Sequence, residues 1–404
     1  MRLHLRHLVP LAGALLGASP LAAQTVWTVT AYEGIQAAVD AASPGDVVVL
    51  ANNGGFPDYR GFTLTKGLTI RANGSRIGVR PQDSPNTITV AVPPGEVAHL
   101  VGLDLTYSYS PYGTTGSKVM VQSGRVAFED CILSCYYVPP LTINAGQVTV
   151  VRGTVQALGY VSAPAIVATN AQLVLRDTTV VGSSATCQPP NCTPYPASPG
   201  VALTQSTLQA ERTTFTGGSQ NRTDSAGTGQ PAILATNSVL RLSDCTLTAG
   251  STNPGLGNGG TALVNNGTTP AALRQTQLIP GQPNGSASSG PIDPTAALVR
   301  LSVSGAWQRG VARTVTVLGD ANAPYGLWFA SDPVATTRPE VVEPLWLLTG
   351  PLLAFGLLDA NGTATSTIAV PNDPILLHMV VWLQIVAGSQ SPWHASTLAG
   401  GIIR

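Results

Sequence analysis

From Ser117 onward the apolar positions fall into a repeating register. Segments beginning at Ser117, Pro139, Pro164, Pro199 and Pro231 align with one another. Just after each start an apolar pair recurs: Val119/Val121, Leu141/Ile143, Ile166/Ala168, Val201/Leu203 and Ile233/Ala235. A second pair follows at Val126/Phe128, Val148/Val150, Leu173/Leu175, Leu208/Ala210 and Leu240/Leu242, and a third apolar site closes each unit at Leu133, Val155, Val180, Phe215 and Leu247. Each pair has the two-residue period of a strand with one buried face. Three short strands per unit, repeating at intervals of about 22 residues or more, predict the coils of a three-sided parallel β-helix. A degenerate unit follows near 260–278.

The same register predicts columns running across the coils. One holds Ile132, Thr154, Thr179, Thr214 and Thr246; another reads Asp130, Arg152, Asp177, Arg212 and Asp244. Coils stack at roughly 4.8 Å, so acids and guanidinium groups alternate up one corner as a structural charge ladder, where like charges would repel. A catalytic reading would make these acids a proton-transfer row. Arginine neighbours favour the charged carboxylate, however, and a general acid needs the opposite environment.

Five cysteines fit an oxidising compartment, although the count is odd. Cys187 and Cys192 bracket a proline-rich loop and are read as a disulfide; Cys131 and Cys135 are a second candidate pair. Cys131 and Cys245 occupy one repeat position in coils about 19 Å apart at the sheet spacing, beyond the roughly 7 Å that a disulfide spans. Each is expected to point inward as a small hydrophobe.

Upstream, Tyr32-Glu33-Gly34-Ile35-Gln36-Ala37-Ala38-Val39-Asp40-Ala41-Ala42-Ser43-Pro44-Gly45-Asp46-Val47-Val48-Val49-Leu50 is followed by Phe62-Thr63-Leu64 and Gly67-Leu68-Thr69-Ile70-Arg71-Ala72. This run resembles the opening of right-handed parallel β-helix proteins of the pectin-lyase-like superfamily, and the resemblance covers about residues 25–280. It implies an N-terminal helix that caps the solenoid. Ile35, Val39 and Ala42 share one helical face, and Ser43-Pro44-Gly45 ends the helix. Such a cap covers strand edges that would otherwise invite aggregation. The expected fold class is all-β: a right-handed parallel β-helix of about seven or eight coils, followed by a small β-sandwich.

The sandwich is expected from a change beyond 280. Residues 281–295 are rich in Gly, Pro and Ser and read as a linker. Beyond them, 298–304, 313–318, 326–330, 363–370 and 375–386 read as longer strands without the coil register, with Asp359-Ala360-Asn361-Gly362 as a hairpin turn. Within this part, 296–404, the stretch Leu358-Asp359-Ala360-Asn361-Gly362-Thr363-Ala364-Thr365 with Val370-Pro371-Asn372-Asp373-Pro374 is similar to a C-terminal module of secreted proteins from environmental bacteria. Asp359, Asn361 and Asp373 are read as turn residues rather than calcium ligands, because no loop of alternating acids is present.

Residues 1–23 have the form of a secretory leader: basic Arg2, His4, Arg6 and His7, an apolar run over 8–16, and Leu21-Ala22-Ala23 before Gln24. The apolar stretch 345–358 is interrupted by Gly350, Pro351 and Gly356 and is too short to span a bilayer. The chain is therefore expected to be secreted or displayed at the cell surface, with 24–280 as the β-helix domain and no membrane insertion.

Charge narrows the partners. Twenty basic residues balance twenty acidic ones, and charged residues are only 10% of the chain. There is no basic footprint for nucleic acid. No C-x-x-C occurs, and His99, His378 and His394 are scattered, so neither a metal nor another cofactor is expected.

Enzymes of the resembled superfamily include pectate lyases, polygalacturonases and pectin methylesterases, yet fold alone decides little. Gln-Asp-Thr-Leu, Leu-Gly-Arg-Pro-Trp, Gly-His-Gly, Arg-Ile-Lys and G-x-S-x-G are all absent, and the only lysines are Lys66 and Lys118. Insertions at 106–116, 135–138, 157–163, 182–198, 217–230 and 249–259 all fall at one solenoid corner. They carry Tyr107, Tyr109, Tyr112, Tyr136, Tyr137, Tyr160 and Tyr195 of the chain's 10 tyrosines. Tyrosine offers a flat apolar face with a polar tip, which suits stacking on sugar rings; packing of the loops onto the solenoid wall is the competing reading. The expectation is an exported, non-catalytic carbohydrate-binding or structural protein with a polysaccharide partner. A polysaccharide lyase or glycoside hydrolase with an unrecognised site is the alternative.

Overall fold

The computed structural model describes residues 8–10, 24–30, 34–51, 59–80, 88–106, 119–136, 138–158, 163–188, 193–220, 227–296, 298–330, 338–343, 345, 350–377 and 379–404; the side chains of 8–10, 186–188 and 193–195 lie outside the description. The chain divides into two compact units, residues 24–294 and residues 295–404 together with the N-terminal segment.

The first unit is a right-handed parallel β-helix. Its three parallel sheets have eleven, nine and nine strands, and successive coils lie beside one another in each sheet. The register is the one read from the apolar pattern. Val126 pairs with Val148, Leu173, Leu208 and then Leu240 as the coils advance. Leu133, Val155, Val180, Phe215 and Leu247 form a second such column. These side chains are buried, and burying continuous aliphatic columns is what no single coil could do alone.

The strands extend beyond the expected seven or eight coils. Residues 59–106 supply earlier coils, and the stretch 281–295 contributes Ser288–Ser289 and Ile292–Asp293, which pair with Leu263–Val264 and Ala271–Ala272.

Helix Ile35–Ala41 lies at the N-terminal end with Ile35 and Val39 buried. Ala42 donates to the Ala38 carbonyl as the helix ends. The Lys66 ammonium then donates to the carbonyls of Val39 at 3.2 Å, Asp40 at 2.7 Å and Ala42 at 2.8 Å. A cation on the free carbonyls of a helix C-terminus offsets the local negative dipole. Just beyond, the Asp46 carboxylate accepts from Thr25 N, the Trp27 indole and Ser43 N, tying the first strand to the cap. Burial pushes the Asp46 carboxyl up, but the hydrogen bonds from Ser43, Thr25 and Trp27 outweigh it and hold its pKa below the ordinary value.

The second unit has two sheets. One is ordered Leu8–Pro10, Thr363–Ala369, Ala312–Leu318, Arg300–Val303. The other is ordered Leu352–Leu357, Pro324–Ala330, Val380–Ala387, His394–Ala395, with Ala399–Ile402 also on Val380–Ala387. Leu301, Val315 and Val317 from the first share a core with Leu327, Phe329, Leu383 and Ile385 from the second. The stretch expected as one strand from 375 begins instead with a 3-10 turn, Pro374–Leu376, because Pro374 removes a donor and Asp373 caps Ile375 N at 2.9 Å. Asp359 accepts from Asn361 N and Thr363 N, both at 2.8 Å, which is turn chemistry. Among the described residues no helix is long and apolar enough to cross a membrane.

Candidate functional site

The column Asp130, Arg152, Asp177, Arg212, Asp244 sits at the corner where the eleven-stranded sheet ends and the next begins. All five residues have left-handed φ, from 46° to 54°, a conformation that non-glycine residues rarely adopt. Backbone bonding makes it tolerable. Each corner N–H donates to the following coil: Asp130 to Val151 O, Arg152 to Arg176 O, Asp177 to Glu211 O, Arg212 to Ser243 O and Asp244 to Arg274 O, at 3.0–3.1 Å.

The side chains above these corners pair across coils. Arg152 Nε donates to Asp130 Oδ1 at 2.9 Å, and the same guanidinium reaches Glu129. Arg212 forms a fork on Asp177, Nε to Oδ1 at 2.7 Å and a terminal nitrogen to Oδ2 at 2.9 Å, and also contacts Glu211. Buried Arg176 lies 3.5 Å from Glu211 and 3.6 Å from Asp177. The network thus uses a second column, Glu129, Arg176 and Glu211, aligned one residue before the corner. Val151 and Ser243 interrupt that column, so no regular charge alternation marked it in the sequence.

The titration of the arginines reflects this pairing. Burial pulls the Arg152 guanidinium down, but Glu129 and Asp130 outweigh it and its pKa is raised; Arg212 is likewise raised by Asp177 and Glu211 against burial. Arg176 is lowered, chiefly by burial. What such an arrangement does chemically is hold coils together: guanidinium groups engage Asp130 Oδ1 and both oxygens of Asp177.

The next position inward is a column of small donors. Thr178 Oγ1 donates to Arg176 O at 2.8 Å, Thr213 Oγ1 to Glu211 O at 3.0 Å and Thr276 Oγ1 to Arg274 O at 3.2 Å. Cys131 Sγ and Cys245 Sγ occupy the same position and donate to Glu129 O at 3.4 Å and Ser243 O at 3.3 Å. Both thiols are buried in the core, as expected of inward small hydrophobes, and they also make the donation that the threonine hydroxyls make in other coils. Burial pushes both up to about 12. Cys131 and Cys135 are free thiols, so that candidate pair is not formed. Cys187 lies on Thr186–Gln188, antiparallel to Thr193–Tyr195, while Cys192 and the pairing expected of it lie outside the described residues.

The corner loops form a lamina of their own. Ser219 N donates to Ser184 Oγ, Ser251 N to Ser219 Oγ and Gln282 N to Ser251 Oγ, each at 3.1 Å. Gly218 and Gly250 pack so closely that a Cβ on either would come within 1.8 Å of a neighbouring carbonyl oxygen. Of the tyrosines expected here, Tyr136 is partly buried beside Ile132–Cys135, and Tyr195 ends Thr193–Tyr195. Tyr107, Tyr109, Tyr112, Tyr137 and Tyr160 lie outside the described residues.

Sequence reading missed one concave site. On the second unit, Trp328, Gln384, Val386 and Trp393 line a cleft with Arg338 and Glu340 at its rim. These residues are far apart along the chain and obey no repeat, so no local signal marked them. Comparison with protein-family models, with curated proteins and with solved structures finds no match to this chain.

Proposed function

We propose that the chain is an exported, non-catalytic protein whose β-helix, of the pectin-lyase-like type, acts outside the cell as a carbohydrate-binding or structural scaffold. The observation that carries this reading is the corner network: Asp130, Asp177 and Glu211 each face an arginine across or within the stack. A glycosidase needs two carboxyls facing the sugar, whereas each of these acids faces an arginine guanidinium. The stacked serines of the loops support the same reading, since their hydrogen bonds tie successive coils together. Export rests on the leader-like segment, and carbohydrate on the tyrosines carried by the corner loops.

The test is prolonged incubation of the full chain with pectin, homogalacturonan, xylan, mannan and β-glucans, read for new reducing ends and for unsaturated ends. The proposal expects neither to accumulate above a heat-inactivated control. Accumulation of either kind from any polymer overturns it and favours a lyase or hydrolase.

A further inference from the structure

The cleft on the second unit is built as an aromatic clamp. Trp328 and Gln384 are cross-strand partners on one face of the five-stranded sheet, and Val386 lies on that same face. Gln384 is 2% exposed, and its amide donates to the Ser396 carbonyl at 3.0 Å, which fixes its orientation. The Trp328 ring folds back over Gly326 so closely that a Cβ there would lie 2.5 Å from two ring carbons. Trp393 rests on Gly388 in the same way, with a Cβ there falling 3.0 Å from the indole. Both rings are therefore seated on bare backbone, and both line the cleft. Trp393 is 42% exposed although it is one of the largest apolar side chains.

The wall that carries Trp393 is pre-organised. Trp393 N donates to Glu340 O at 2.7 Å, and Val342 N donates to Trp393 O at 2.9 Å. Behind it the buried Glu343 carboxylate accepts from Ala395 N at 2.7 Å and lies 3.1 Å from His394 Nδ1. Fixing the wall before binding lowers the ordering cost of a ligand.

We infer that this cleft binds a neutral pyranose unit of a polysaccharide. Two indole faces suit the apolar C–H faces of a sugar ring, and a few fixed polar groups around an apolar floor give orientation. Arg338 brings donors and Glu340 an acceptor to the exposed rim. Together they leave the rim without net charge, which offers hydroxyl groups both donors and acceptors and gives a uronate no net electrostatic attraction. The cleft encloses about 330 Å³, at the small end of ligand sites and fitted to a ring rather than a folded partner. This inference deepens the carbohydrate reading above by naming a site and a sugar class, and it is independent of the solenoid corner.

The experiment is calorimetric titration of the full chain with cellohexaose, xylohexaose, mannohexaose, laminarihexaose and hexagalacturonate. At least one neutral hexasaccharide is expected to bind. Trp393→Ala, checked as folded by thermal unfolding, is expected to weaken binding about tenfold or more, the loss typical of a central aromatic anchor. Arg338→Ala is expected to weaken it less, and Tyr136→Ala to leave it unchanged. No binding by any neutral hexasaccharide overturns the inference, as does tighter binding of hexagalacturonate. Unchanged affinity in Trp393→Ala with loss in Tyr136→Ala also overturns it, and moves the site to the solenoid corner with the proposed function standing.

Discussion

The Arg212 guanidinium grips both oxygens of Asp177 on the preceding coil, at 2.7 and 2.9 Å, while also contacting Glu211 on its own coil. Two acids therefore share one arginine, and Arg176 supplies the second cation to the same pair of acids. Arg176, Asp177, Glu211 and Arg212 are one network, and its members differ sharply in exposure.

That difference predicts unequal substitution costs. Glu211 and Arg176 are nearly fully buried, so Glu211→Ala removes the buried carboxylate beside Arg176, leaving Asp177 at 3.6 Å, and is expected to cost about 3 kcal/mol in urea unfolding. Replacing both, as Glu211→Leu with Arg176→Met, is expected to recover most of that loss. If the double variant is no more stable than Glu211→Ala alone, the pairing is not the source of the cost.

The buried thiols are expected to be inert. Cys131 and Cys245 are enclosed, and both titrate near 12, far above the range of reactive cysteines. A thiol reagent at neutral pH should label neither in the folded chain and both in urea. Cys245→Thr should change stability by less than about 1 kcal/mol, because threonine makes the same donation at Thr213 and Thr276 in adjoining coils.

Much of this architecture could be read before any coordinates. Val126, Val148, Leu173, Leu208 and Leu240 advertise a column because every coil must fill the same interior with the same kind of side chain. The loop lamina did not advertise itself, since it is held by backbone and by Gly218, Gly250 and stacked serines, which carry no hydrophobic period. Strand Leu352–Leu357 was overlooked because Gly350, Pro351 and Gly356 read as breakers, and Ala399–Ile402 because two glycines sit inside it. The left-handed corner was also hidden: the alternation of Asp and Arg spoke of charge, while the backbone placed those residues in a conformation that arginine does not favour. Trp328 and Trp393 meet only through tertiary structure.

Close approach in the lamina sets a further expectation. Gly250→Ala would bring a Cβ within 1.8 Å of the Gly218 carbonyl oxygen, so the backbone must shift, at a cost of about 2–3 kcal/mol. Gly255, with φ of 83° and open space around it, should cost only the left-handed strain of about 1 kcal/mol when changed to alanine. Urea midpoints of the two variants compare these costs directly.

Acid should destabilise the chain in two windows. Burial, with Arg125 nearby, holds the His99 pKa down at about 4. Between there and about 6.5 the unfolded chain binds a proton that the folded chain refuses. His99 therefore contributes stability that is complete above about 6.5 and lost on descent toward 4, an effect of at most about 3 kcal/mol. Asp46, held below its ordinary value of 3.8, contributes stability that is present above that value and lost as pH falls through its lower folded pKa. In urea unfolding across pH, His99→Gln should flatten the upper window and Asp46→Asn the lower one.

The most direct measurement on the corner acids is a double-mutant cycle on Asp177 and Arg212, using Asp177→Asn and Arg212→Gln in urea unfolding at low and high salt. Because both side chains are about one third exposed, the expected coupling is only about 0.5–1 kcal/mol at low salt, shrinking as salt screens it. Additive single changes, with no coupling at either salt, would mean that Asp177 is not committed to its arginine and would contradict the structural role assigned to these acids.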